Sequence, residues 1–559
     1  MKRSGWFALL GIVSFSLLIS TVPLYEYTLW GMDCGEYFYY THRWVETGGR
    51  YLSIDGWGRA YPFFPGMFIL GGGFHLLSGV DLMRSMMFAP VVISALSPLF
   101  IFMIVHRVMD DWRPAILSAF FFISLPPLIY AYSQPRPETL GFFLMLLILS
   151  LNITSLERYK KTALLIVIAL FSLVITHHLS TYFLILFFVG GITVSKLWRR
   201  KKWRLDNVRT WLLVFFMIST FLYWIFYSVP FGERRIEGAL GFPSYTIVFT
   251  PFVFLLFLEF LTRIRRRFDL AVSIDLYKQD IRSFLIYSIL ILILIIPVII
   301  QITFGTLPVR DIELGTTVLL YFPMVILGLF FVPSRNIIKA LKEGPTLIGW
   351  FLFVIISMIV GFISQSSSLL PMRQFTFFLL TISLLFGIGM FHFHSTIFNP
   401  KSKKRKTLAL GIFVMILVAF LIPLSYPSQE RAGGYMEGVE SEDMEAAFWI
   451  KHSTSEKIAA DHRLSGALFS VSNQELTWTD GYEMYFSNNF SAAQEDLENN
   501  NVSYIMWDEE MKIGAAVIPG QNPEPLNHTL MKRYHEEFHL IYMSEEVVVY
   551  SVHYGDESF

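Results

Sequence analysis

"GMDCGEYFYYTHRWVETGGRY", residues 31–51, is an acidic and aromatic stretch that follows directly on the first apolar run of the chain. It puts Asp33 and Glu36 where a membrane helix hands over to water. A carboxylate pair fixed at that boundary, in a chain that is otherwise largely apolar, points to chemistry on a lipid-borne substrate. The two acids are three residues apart. A helix starting there sets both on one face, with Tyr37 and Tyr40 beside them. Two readings follow from that spacing. A carboxylate partly shielded from water gains affinity for protons and can serve as a general base for an attacking hydroxyl. Alternatively, both acids stabilise the positive end of a surface helix, an effect of about 0.3–1 kcal/mol. The spacing leaves both open.

Working outward, the 559 residues are 54% hydrophobic and 17% aromatic. Repeated apolar runs approach the roughly 20 residues needed to cross about 30 Å of hydrocarbon. The chain reads as an α-helical polytopic membrane protein. The opening run, "MKRSGWFALLGIVSFSLLISTVPLY", is long and lacks a small-residue cleavage pattern before Asp33, so it reads as a retained first span. Formal net charge is zero, which gives no global pointer to nucleic acid. The single cysteine, Cys34, excludes an internal disulfide and a multi-cysteine metal site.

Thirteen spans are expected, near 6–26, 85–106, 113–131, 139–155, 162–176, 179–195, 209–228, 243–262, 283–303, 315–332, 345–364, 372–391 and 407–425. Segment 62–79, "PFFPGMFILGGGFHLLSG", is short, proline-led and interrupted by three glycines, a poor full span. If it does not cross, the basic clusters at Lys2–Arg3, Arg158–Lys161, Lys196–Arg204, Arg263–Arg267, Arg335–Lys342 and Lys401–Lys406 all face the cytoplasm. It is therefore read as a surface or re-entrant helix in a long first external loop, 28–84. The expected location is the plasma membrane, with the N-terminus cytoplasmic.

That topology leaves only arginines as basic residues in the external loops of the membrane region: Arg43, Arg50, Arg59, Arg84, Arg136, Arg234, Arg235, Arg310 and Arg373. A guanidinium presents a planar donor fork that matches phosphate oxygens in pairs, which lysine does not. Positive-inside selection with snorkelling explains individual members equally well; the set favours a phosphate or pyrophosphate headgroup. Arg373, at the mouth of a span in "SQSSSLLPMRQFTFF", is costly there unless paired. In "AYSQPRPETLGFF", Pro135 and Pro137 stiffen a turn holding Arg136 and Glu138, although Glu138 is also a favourable helix start. His177 and His178 in "ITHHLSTYF" diverge on a helix, which disfavours joint metal ligation; one could hydrogen-bond a substrate or Asp33, or both could pack at the interface.

Beyond residue 426 the apolar runs stop. Strand patterns "SYIMWD" and "EEVVVYSV" alternate with helical ones near 441–451 and 491–499, so 427–559 reads as a small extracytoplasmic α/β domain after a transmembrane domain, 1–426. Acceptor triplets for N-glycosylation at Asn489, Asn501 and Asn527 all fall there.

These features together resemble the GT-C superfamily of polyprenyl-phosphate-dependent glycosyltransferases, which includes protein O-mannosyltransferases, aminoarabinose transferases and oligosaccharyltransferase catalytic subunits. The matching pieces are "MDCGEYFYYTHRWVETGG", "YPFFPGMFILGGGFHLLSG", "YSQPRPETLGFFLMLLILSL" and "THHLSTYF". The resemblance covers residues 1–200 by motif and the remainder by architecture. It implies that Asp33 is the essential carboxylate, that Glu36 and Glu138 are secondary acids, and that Arg373, with Arg136 and Arg310, binds donor phosphate. It also implies inverting transfer of a sugar from a polyprenyl (dolichyl) phosphate to a glycan, lipid or protein acceptor, with Tyr37 near the substrate. Cys34 follows Asp33 where the family has a second acid, and the "WWDYG" signature is absent, which favours transfer of one sugar over a preassembled oligosaccharide. The residues do not demand a metal, and a divalent cation (Mg or Mn) bridging phosphate and Asp33 is compatible with them. A transporter or a surface accessory protein are the rival classes; charges gathered at the boundary rather than at mid-membrane argue against the first.

Overall fold

Apolar composition and length set the first element, a helix α1 (Arg3–Thr21), whose Trp6, Phe7, Leu10 and Leu18 are exposed as lipid-facing side chains would be. The computed structural model describes residues 3–49, 56–58, 60–154, 159–198, 208–231, 250–268, 340–364, 371–397, 437–472, 474–478, 480–512, 516, 518 and 524–553. After α1 come a short helix α2 (Pro23–Glu26), strand β1 (Leu29–Trp30), α3 (Cys34–Glu46) and α4 (Gly66–Ser78). The membrane helices continue with α5 (Leu82–Ser94), α6 (Ser97–Met109), α7 (Trp112–Phe122), α8 (Pro126–Ser133), α9 (Pro137–Thr154), α10 (Tyr159–Val174), α11 (His178–Trp198) and α12 (Val208–Leu222). A short α13 (Val229–Phe231) precedes α14 (Thr250–Phe268), α15 (Ala340–Ser364) and α16 (Pro371–Ile397).

Among the described residues, six helices are long and apolar enough to cross a membrane, or seven if α7 and α8 form one broken span. The protein is an integral membrane protein. The α7–α8 pair, in the region expected as one span over 113–131, bends by 67°. Pro126 and Pro127 explain the break: neither supplies a backbone amide, and Leu125 before them is forced extended. Helix α4, with 13 residues, is about 20 Å long and cannot span about 30 Å of hydrocarbon. Its C-terminal Leu77 is 90% exposed, so this end faces lipid or solvent rather than the bundle. Expected spans 283–303, 315–332 and 407–425 lie outside the described residues.

Within the bundle, α11 and α15 approach backbone to backbone where Gly190 meets Gly349; a Cβ at either would overlap the other's main chain. Small residues permit such contact where apolar lipid supplies no hydrophobic drive for association.

The C-terminal region comprises β2 (Gly438–Val439), α17 (Ser441–Ser453), β3 (Ile458–Ala459), α18 (His462–Ser472), α19 (Glu483–Phe486), α20 (Phe490–Asn499), β4 (Tyr504–Asp508), α21 (His528–Glu537), β5 (His539–Met543) and β6 (Val547–Ser551). Four strands form one sheet in the order β3-β4-β6-β5, with β3 parallel to β4 and the other pairs antiparallel. The helices and strands expected near 441–451, 491–499, 503–508 and 545–552 are present. Asn489 and Asn527 both cap helices with their side-chain oxygens.

The joint between this region and the first loop matters most for the site. Strand β1 pairs antiparallel with β2, Leu29 opposite Val439 and Trp30 opposite Gly438. Helix α3 lies against α18 so closely that a Cβ on Gly35 would run into the backbone of Gly466. Leu29, Trp30, Tyr37, Tyr40, Met67 and Phe68 belong to the same buried cluster as Ile458, Leu464, Ala467 and Ile505. The first loop and the C-terminal region thus share one hydrophobic core, separate from that of the bundle.

Candidate active site

Asp33 occupies the position preceding α3 but makes no capping hydrogen bond to that helix. Its Oδ2 accepts from Tyr61 Oη at 2.7 Å and from Tyr37 Oη at 3.3 Å. Its Oδ1 lies 3.1 Å from Nε2 of His462, the first residue of α18. The carboxylate is 26% exposed, whereas His462 is 2% exposed. Glu36 is buried, and both of its oxygens face the backbone N–H of Gly58, at 3.0 and 3.2 Å. Asp33 therefore does not cap α3 through its side chain, and Glu36 ties α3 to the returning loop.

Several contacts hold the Asp33 turn. Trp30 Nε1 donates to Ser133 Oγ at 3.0 Å, reaching the second loop, and Cys34 Sγ donates to Trp30 O at 2.7 Å. Gln134 donates its amide to the Glu437 carboxylate. On the far side, Arg463 donates to Asp443 at 3.0 Å, to Gly438 O at 3.0 Å, and to Asp508. That buried network fixes the start of α18. The His462 ring is enclosed by Trp57 at 4.9 Å and Trp478 at 5.6 Å.

These surroundings divide the acids. Burial pushes Asp33 up, but the hydrogen bond and charge of His462, the Tyr61 hydroxyl and the Arg136 charge outweigh it and hold the carboxyl below its usual range. Asp33 is ionised at neutral pH, contrary to the raised proton affinity expected from its boundary position; the partners missed were distant in sequence. Burial, then the charge of Asp33, push Glu36 up to about 8. Burial lowers His462, yet the hydrogen bond and charge of Asp33 leave it above its ordinary value. Burial keeps Tyr37 and Tyr61 protonated, as donors.

No protein-family model matches the sequence, and no curated protein matches it. Among solved structures, the oligosaccharyltransferase of Archaeoglobus fulgidus, in complex with zinc and sulfate, aligns with a TM-score of 0.53 at 14% identity, over 89% of this chain and 68% of that one. The chain has the GT-C fold. ArnT from Cupriavidus metallidurans, bound to undecaprenyl phosphate, aligns at 11% identity with a TM-score of 0.45, over 98% of each chain. Its apo form gives 0.40 at 11%, over 99% of this chain and 98% of that one.

Within this GT-C fold, the expected site residues separate. Asp33, Glu36, Tyr37 and Arg136 come together. Arg136 is partly buried beside Asp33, its Nε enclosed without a hydrogen-bond partner, and Glu437 and Glu138 strengthen its hold on its proton. Glu138 lies in the first turn of α9, as the proline before it predicts. The histidine that hydrogen-bonds Asp33 in the structure is His462. His177 Nδ1 instead accepts the N–H of Ser180 at 3.3 Å, at the start of α11, while the His178 ring packs 4.5 Å from Phe231. Arg43 pairs with Glu46 at 3.2 Å on an exposed face. Arg373 falls in the first turn of α16 by its backbone; its side chain, like all of Arg310, lies outside the described residues.

The described residues contain no group of three His, Cys, Asp or Glu side chains able to hold a metal, and both Asp33 oxygens already accept hydrogen bonds. Sequence reasoning missed His462, Tyr61 and Trp57. The signal for His462 was the charged triplet Asp461-His462-Arg463 inside the apolar run "IAADHRLSGALF", since charges buried there need partners.

Proposed function

We propose that the protein is a membrane glycosyltransferase that moves a sugar from a polyprenyl (dolichyl) phosphate donor to an acceptor hydroxyl, with inversion, on the external face of the membrane. Asp33 is the general base. The observation that supports this reading is the partly exposed Asp33 carboxylate held by Tyr37, Tyr61 and His462, with the charge of Arg136 near enough to favour its ionised form. The carboxylate receives a proton and the guanidinium an anion.

In the reaction, the acceptor oxygen bonds to the anomeric carbon while the bond from that carbon to the donor phosphate oxygen breaks. The phosphate leaves as an anion and is met by Arg136, a preorganised donor fork. Arg373, in the first turn of α16, is assigned a second phosphate contact. The acceptor proton passes to Asp33. A lowered proton affinity suits this order of events, because the acceptor hydroxyl becomes strongly acidic only as its oxygen bonds to the oxocarbenium-like carbon. Tyr37 and Tyr61 hold the carboxylate in place.

The test is binding of undecaprenyl phosphate to the purified protein in detergent. Arg136→Gln is expected to weaken it about tenfold or more, the loss of a charge-assisted pair, with Arg136→Lys intermediate. Unchanged binding in both variants contradicts the assignment of Arg136.

A further inference from the structure

His462 belongs to the C-terminal region, 429 positions from its partner Asp33, and its placement is over-determined. Asp461 accepts the Leu464 N–H at 2.9 Å and so caps the turn that carries it. Arg463, the next residue, is anchored by Asp443 and Asp508. The imidazole is walled by Trp57 and by Trp478, a bulky residue held at φ +51°, a left-handed backbone that such side chains rarely adopt. Strain of that kind persists only where the surroundings enforce it, and here the strained residue closes the wall around one ring. The ring's other nitrogen, Nδ1, is buried without a hydrogen-bond partner.

A docking role alone does not account for this. The C-terminal region is already joined to the first loop by the β1–β2 pair, by the Gly35–Gly466 contact and by the shared core. Exchanging a buried ion pair for apolar groups is often neutral or stabilising, so docking gives no reason to keep this one. Among the described residues, His462 holds Oδ1 of Asp33, while Tyr61 and Tyr37 hold Oδ2.

We propose that His462 is a positioning residue for Asp33, holding Oδ1 through Nε2–H so that the transfer site is complete only when the C-terminal domain is seated on the first loop. This deepens the glycosyltransferase reading and rests on it. The charge on His462 then sets how readily Asp33 accepts the acceptor proton: an imidazolium weakens the carboxylate as a base, a neutral imidazole donating the same hydrogen bond does so less. The groups facing His462 are Asp33 from the first loop, Glu36 from α3 and Asp461 on its own segment, with the neutral rings of Trp57 and Trp478 closing the rest.

The test is sugar transfer from a polyprenyl-phosphate sugar by the full-length protein in lipid vesicles, followed from about pH 5 to pH 9. In a Glu36→Gln background, which removes the other carboxyl titrating in this range, the protein is expected to lose kcat as pH falls through a titration lying above the ordinary histidine value. His462→Gln keeps a donor without a titrating charge; it should retain activity within about tenfold and lose that limb. His462→Ala should lose about 100-fold in kcat with donor KM unchanged. A His462→Gln profile that keeps that limb in the same background overturns the proposal. So does a His462→Ala effect confined to KM, or a thermal stability loss with kcat unchanged. If Asp33→Asn is inactive while both His462 variants behave as wild type, only this inference fails; an active Asp33→Asn overturns the glycosyltransferase reading itself.

Discussion

Asp33 and Glu36 sit one helical turn apart and acquire opposite characters. Asp33 receives three side-chain donors and is held ionised, whereas Glu36 is sealed under Gly58 and pushed up to about 8. Each titration has a sign. Between the ordinary glutamate value and about 8 the folded protein holds a proton on Glu36 that the unfolded chain has lost, so stability falls as pH rises through that window. His462, raised by Asp33, contributes stability fully present below its unfolded value and lost as pH rises through its folded one. Asp33, lowered, contributes stability present above its unfolded value and lost as pH falls through its folded one. Glu36→Gln mimics the neutral carboxyl. Its thermal midpoint in detergent is expected to match the wild type below the ordinary glutamate value and to decline less than the wild type as pH rises from there to about 8. Parallel declines would show that Glu36 is not the group titrating.

At the scale of elements, the contact between α3 and α18 brings the acid and its histidine within hydrogen-bond reach. Gly35→Ala places a methyl on the Gly466 main chain, which must move. The expected cost is about 1–3 kcal/mol of stability, from overpacking at a backbone contact. Because the displaced helix begins with His462, kcat should fall as well, while donor binding at Arg136 stays. A variant with lowered stability and full kcat would detach the α3–α18 contact from the site. The helices and strands that periodicity predicted are those whose burial is local: α17, α20, β4 and β6 carry their pattern within a few residues. The prolines at 126 and 127 carry the signal for the break inside the span expected over 113–131. Asp33, Arg136 and Tyr37 were readable from residue type and position at the boundary. The Asp33–His462 pair was not, because no periodicity links residues 429 positions apart and the helix of His462 looks from its sequence like an ordinary amphipathic one.

The described part of the molecule is a membrane bundle whose first loop shares a core with the C-terminal region, and the candidate site lies at that joint. Arginine 463 ties β2, α17 and β4 into one unit behind His462, so the domain presents the histidine as a rigid body. The GT-C fold supplies the frame, and the loops supply an ionised carboxylate beside an arginine with an unfilled donor. The central claim is that Asp33 takes the acceptor proton in sugar transfer from a lipid phosphate. It is tested most directly by measuring transfer from a labelled polyprenyl-phosphate sugar in membranes holding the wild type or Asp33→Asn at equal folded amounts. The account predicts a loss of about 100-fold or more in kcat for Asp33→Asn with donor binding retained; undiminished transfer by the folded variant would contradict it.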